Sequence, residues 1–171
     1  MLGSAFSSLR TLIVLVVFGV VLLIAAIWGW KQMTKPFPAK ADAAACVSTR
    51  VSKGDKIYPA QVVVSVMNAS SREGLARRTM QALTDEGFVS GSSGNASKKV
   101  AVKRAQVWAA DPQSPSARLV ASWLHNPKLV KKTSSLPGVV VVVGEKFPQV
   151  SGGKKVAVAK ATTTICSPPA D

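Results

Sequence analysis

The chain has 171 residues, with 22 Lys and Arg against 8 Asp and Glu for a net charge of +14, and 47% of its residues are apolar. That apolar share excludes a wholly disordered chain, and the charge favours anionic partners such as membrane lipid, nucleic acid or acidic envelope polymers. One His and two widely separated Cys do not suggest a zinc site.

Residues 1–10 form a short N-terminal segment with one charged side chain, Arg10. Residues 11–30, TLIVLVVFGVVLLIAAIWGW, carry no charge. At about 1.5 Å per residue they would span about 30 Å, the thickness of a bilayer's hydrocarbon core. Trp28 and Trp30 close the run, where indoles favour the headgroup level. A cleaved secretory signal has an apolar region of only about 7–15 residues, so an uncleaved single-pass helix is expected. Ala43-Ala44-Ala45-Cys46 looks like a lipoprotein box, but a Lys- and Pro-bearing segment separates it from the apolar run. Lys31, Lys35 and Lys40 follow the helix while Arg10 precedes it, and by the positive-inside rule alone the rest of the chain would stay in the cytoplasm.

Residues 31–57 read as a stalk, because Pro36 and Pro38 forbid a regular helix and large apolar groups are few. A domain is expected over 58–150. Residues 61–67, QVVVSVM, suit a mostly buried strand. Asn68 to Ser71 then turns into a helix, with Ser70-x-x-Glu73 as a capping box. Ala76, Met80 and Leu83 recur at helical spacing, Arg77 and Arg78 point away, and Gly87 supplies the stop. Phe88 and Val89 start a short second strand. GSSGNASKK at 91–99 reads as a flexible turn before a third strand at 100–108. Ser114 and Pro115 open a second helix, whose apolar stripe is Ala117, Val120, Ala121 and Leu124. Asn126-Pro127 stops it, and VVVVV at 139–143 is expected as a central strand. Residues 151–171 read as a flexible tail. The order predicts an α+β domain, β-α-β-β-α-β, with two helices on one face of a four-stranded sheet.

Cys46 and Cys166 stand outside the two ends of the patterned region. Their placement suggests a clasp between the domain's two ends, and with it an oxidising compartment. Two unrelated thiols are the alternative.

No catalytic constellation is found. His125 stands alone at a helix end, no carboxylate pair stands out, and no Ser occupies a G-x-S-x-G turn. GSSGNASKK lacks the spacing and the following helix of a phosphate loop. A binding role without cofactor or metal is therefore expected. The most suggestive place is the turn at Asn68 and Ser70, where a helix N-terminus could face an anion with Arg72, Arg77 and Arg78 supplying charge. The competing reading is purely structural, with Asn68 making a turn and Ser70 a cap.

The stretch VVVSVMNASSREGLARRTMQALTDEGF, followed by a second strand-helix unit and VVVVVGEKF, resembles the LytR C-terminal domain family. The matching positions are Asn68, Ala69, Ser70, Gly74, Leu75, Ala76, Gly87 and Phe88, with Gly144 and Phe147 after the last strand. Glycines expected before the second helix are replaced by Asp111 to Pro115. The resemblance implies an extracytoplasmic module of the bacterial envelope, of an actinobacterial type when it stands alone behind one membrane helix. In larger relatives the module follows the LytR-CpsA-Psr domain, which attaches glycopolymers to peptidoglycan, and this chain has no room for that domain. Stand-alone relatives also carry paired cysteines around the domain, which implies the Cys46–Cys166 clasp. The function expected is thus a membrane-anchored, non-enzymatic adaptor or binder for cell-wall glycopolymer, peptidoglycan or a wall-assembly enzyme. A SPOR-like peptidoglycan-binding module and a membrane-tethered nucleic-acid binder are the alternatives. Against the last, VAVKRAQVW shows no run of aromatics on which bases could stack.

Overall fold

The computed structural model describes residues 3–33, 46–97 and 99–169. The chain divides into two units, α1 forming one and the domain the other. Helix α1, Gly3–Met33, contains the span Thr11–Gly29 with a mean hydropathy of 3.0, so by length and composition it can cross a membrane. The part of the expected stalk at 34–45 lies outside the described residues.

The domain runs β1 (Val47–Val51), β2 (Lys56–Ile57), a short 3-10 turn (Pro59–Gln61), β3 (Val63–Asn68), α2 (Leu75–Asp85), β4 (Val89–Asn95) and β5 (Ala105–Ala109). It continues through α3 (Pro115–Ser122), β6 (Lys128–Lys131), β7 (Val139–Val143), β8 (Ala157–Val158) and β9 (Thr163–Ser167). Five strands form the main sheet in the order β4-β3-β7-β5-β6. Two β-α-β crossovers, β3-α2-β4 and β5-α3-β6, make parallel pairs, and β7 lies between their first strands, parallel to β3 and antiparallel to β5.

The α+β class and the two helices on one face are as expected, and the sheet has one strand more. Leu75, Ala76, Met80 and Leu83 of α2 and Ala117, Leu119 and Val120 of α3 pack on Val64, Val66, Val107, Val139, Val141 and Val143. Phe88 meets Trp123 edge-on in this layer, ring centroids 6.2 Å apart. The opposite face buries Val140, Val142, Val102 and Trp108 beneath the partly buried Ala96, Val100, Val130 and Leu136. Because both faces are covered, β7 can be valine at every position.

The sheet's outer strands differ from expectation for physical reasons. The expected second strand is β4, which starts at Val89 as read but runs on to Asn95, into the Gly- and Ser-rich run expected as a flexible turn. The Ser65 hydroxyl, fully buried, donates to the Pro137 carbonyl at 2.7 Å and accepts the Ser92 N–H at 3.1 Å, across a register shift between Val64 and Val66. A Cβ on Gly91 would sit 2.6 Å from that hydroxyl, so β4 needs a residue without a side chain at this point. At the other edge, β6 reads KLVK, too short and too basic to signal a strand, and its lysines blunt the free edge.

Residues 46–57 and 157–167, expected as stalk and tail, are paired strands of the domain. β1 pairs antiparallel with β9, and β2 with β8. Val51, Ile57 and Ile165 join the main core, which is what holds these ribbons in place. A disulfide links Cys46 to Cys166, with Cα atoms 5.3 Å apart.

Candidate functional site

The turn between β3 and α2 is built around Asn68, which is 7% exposed. Its backbone carbonyl accepts the Ala96 N–H at 2.8 Å, tying the ends of β3 and β4 together. Its side-chain amide donates to the Arg72 carbonyl at 2.8 Å, and its side-chain oxygen accepts both the Ser70 N–H, 2.9 Å, and the Ser70 hydroxyl, 2.7 Å. The Ser70 oxygen in turn accepts the Arg72 N–H at 3.2 Å. Ser71 donates through its N–H and its hydroxyl to the Glu145 carboxylate at 3.0 and 3.2 Å.

This network corrects the capping assignment. Helix α2 starts at Leu75, its N-cap is Gly74 at φ 68, and no side chain caps it. Ser70 stands too early and its hydroxyl is committed to Asn68, so the Ser70-x-x-Glu73 box does not form. Asn68 and Ser70 instead line a cleft of about 490 Å³ at the ends of β3 and β4, together with Glu73, Asn95 and Ser97. No cation lines it.

The three arginines do not line that cleft, although Arg72 and Arg78 border it. Arg72 donates from Nη1 to the Phe147 carbonyl at 2.6 Å and, with Arg78, lines a separate cleft of about 240 Å³. Arg78 donates to the Glu73 carbonyl at 3.0 Å, and Arg77 is exposed and lines neither cleft. Asn68 and Ser70 are therefore brought together, and Arg72 with Arg78, but not the five as one site. Arg72→Gln should lower stability by about 1–2 kcal/mol, the worth of a partly exposed charged hydrogen bond, read from urea unfolding. Arg77→Gln with Arg78→Gln should change it by no more than about 0.5 kcal/mol.

The carboxylates of the domain are mostly used locally. Asp55 accepts the Ser52 N–H, Asp85 the Gln81 amide, Asp111 the Gln113 N–H and Glu145 the Ser71 donors. Lys155–Glu86, at 2.9 Å, is the one ion pair between side chains among the described residues. The basic surface is thus largely unneutralised. Among the described residues no group of His, Cys, Asp or Glu could hold a metal ion, and no buried side-chain polar atom lacks a hydrogen-bond partner.

Residues 61–147, just over half of the chain, match the family described as LytR cell envelope-related transcriptional attenuator. The chain belongs to this family, and its domain is a cell-envelope-related one of regulatory rather than enzymatic description. A comparison with curated proteins finds no match. Among solved structures, the chain is similar to the soluble domain of a conserved hypothetical secreted protein from Mycobacterium marinum. The identity is 22%, over 59% of this chain and 78% of that one, with a TM-score of 0.40. The assignment rests on the family match alone.

Proposed function

We propose that the chain is a membrane-anchored, extracytoplasmic binder or adaptor of the cell envelope, which holds anionic cell-wall glycopolymer or docks a wall-assembly enzyme through its basic domain. The observation that carries this reading is the order of parts: an apolar helix long enough to span a bilayer, then a family domain closed by a disulfide. Disulfides persist in oxidising compartments, which favours the outer side despite Lys31, Lys35 and Lys40. A domain whose cations go almost unpaired, and whose buried polar groups all serve the fold, suits binding better than turnover.

Two measurements test the reading. In intact cells an impermeant protease should remove the domain, and full protection would place it on the cytoplasmic side. In parallel pull-downs the full-length protein should be retained by isolated wall or purified glycopolymer more than by DNA. The difference should shrink as added salt screens the exposed charges. Retention by DNA alone would favour the nucleic-acid alternative.

A further inference from the structure

A cleft of about 500 Å³ opens where β5 and β6 begin, lined by Lys103, Arg104, Gln106, Asn126 and Lys128. Gln106 and Lys128 face each other across the β5–β6 pairing. No carboxylate lines the cleft, and none of its three cations has an ion-pair partner among the described residues.

The polar groups here are arranged as donors. The Gln106 side-chain oxygen accepts the Trp108 indole N–H at 2.8 Å, which leaves its amide NH₂ free to donate. The Lys103 and Arg104 carbonyls accept the N–H groups of Lys146 and Gly144, each at 2.7 Å, so these backbone acceptors are already used. The same two bonds pin the segment that carries both cations, so it need not be ordered when a ligand arrives. Beyond Lys128 the edge strand continues the charge. Lys131, an odd number of residues on, turns to the other face of the strand, but Lys132 shares the face of Lys128 about 13 Å along, its ammonium 3.6 Å above the Trp108 ring.

We propose that this cleft and the lysine edge beyond it bind successive phosphate groups of an anionic glycopolymer. Several converging donors suit a phosphate, whose oxygens lie tetrahedrally about phosphorus and accept from more directions than the planar pair of a carboxylate. A line of cations suits a repeating polyanion better than a single ion. Trp108 is buried and capped by Lys132, so the site offers no aromatic face to a nucleic-acid base. The inference rests on the binder reading above and gives that reading a site.

The test uses the full-length protein in phosphatidylcholine nanodiscs, with inorganic polyphosphate as the probe. Lys103→Gln, Arg104→Gln and Lys128→Gln together should weaken binding by about tenfold or more and flatten its salt dependence. Arg118→Gln, Lys154→Gln and Lys160→Gln remove the same three charges from another cleft and should weaken it by no more than about threefold. Equal losses in the two triple variants would overturn the site while leaving the binder reading intact. Tighter binding of oligo-dT than of polyphosphate at equal phosphate would overturn it in favour of nucleic acid. Slowed amide exchange at residues 101–106 on adding phosphatidylglycerol to the nanodiscs, with no polymer present, would overturn it in favour of lipid headgroups. If polyphosphate fails to bind but isolated wall still retains the protein, only the phosphate chemistry falls. Wild-type protein retained by neither takes the binder reading down with the site.

Discussion

Replacing both cysteines, Cys46→Ser with Cys166→Ser, should lower the unfolding free energy of the domain by about 4 kcal/mol. The bridge closes a loop across a sequence separation of 120 residues. On the chain-entropy account a loop of that length restricts the unfolded chain by about 4–5 kcal/mol. The native side of the balance points the same way. β2 and β8 are two residues each, β1 and β9 five each, and two-stranded ribbons are marginal without support. The disulfide sits at the open end of β1–β9, where Ser48 pairs with Cys166. Urea unfolding of oxidised protein against the double variant measures the change. Hydrogen exchange should show residues 47–51 and 163–167 opening first, before β3 and β7. Equal midpoints with equal protection of the ribbon would mean that Val51 and Ile165 suffice to hold it.

What the sequence displayed most clearly was burial. The stripe Ala76, Met80, Leu83 recurs at the helical period, while the valines of β3 and β7 make near-continuous runs because both faces of the sheet are covered. The ribbons left a fainter mark. In VSTRV only Val51 is buried and in TTICS only Ile165 and Ser167 are, and neither segment reads as a strand until its partner, over a hundred residues away, is known. The length of β4 was hidden for a different reason: Ser65, Ser92 and Gly91 answer a local backbone irregularity, not a hydrophobic pattern. At the turn after β3, Ser70 satisfies the capping spacing, but Asn68 captures its hydroxyl first. The basic cleft was illegible because Lys103 and Arg104 lay inside an expected strand. Only the pairing of Gln106 with Lys128 brings the second cationic segment alongside them.

Gly144→Ala should destabilise the domain by about 3 kcal/mol or more, because the added methyl has nowhere to go. A Cβ there would lie 1.8 Å from the Val102 carbonyl oxygen, 2.5 Å from its carbon and 2.9 Å from the Lys103 carbonyl carbon. All three are backbone atoms, so no rotamer change can relieve the overlap. Either the end of β7 or the 102–104 segment must move. Moving it strains the bonds from Gly144 N–H to the Arg104 carbonyl and from Lys146 N–H to the Lys103 carbonyl, and it lifts Val102 off Val140, Val142 and Trp108. Gly152→Ala is the control, since nothing lies within 4 Å of a Cβ at that position. Urea unfolding should separate the two variants by roughly the whole effect of Gly144→Ala, with Trp108 becoming more accessible to a fluorescence quencher in the native baseline. A Gly144→Ala protein that unfolds like wild type would mean that the 102–104 segment does not rest on the end of β7. The basic cleft would then lose the rigid wall that presents Lys103 and Arg104.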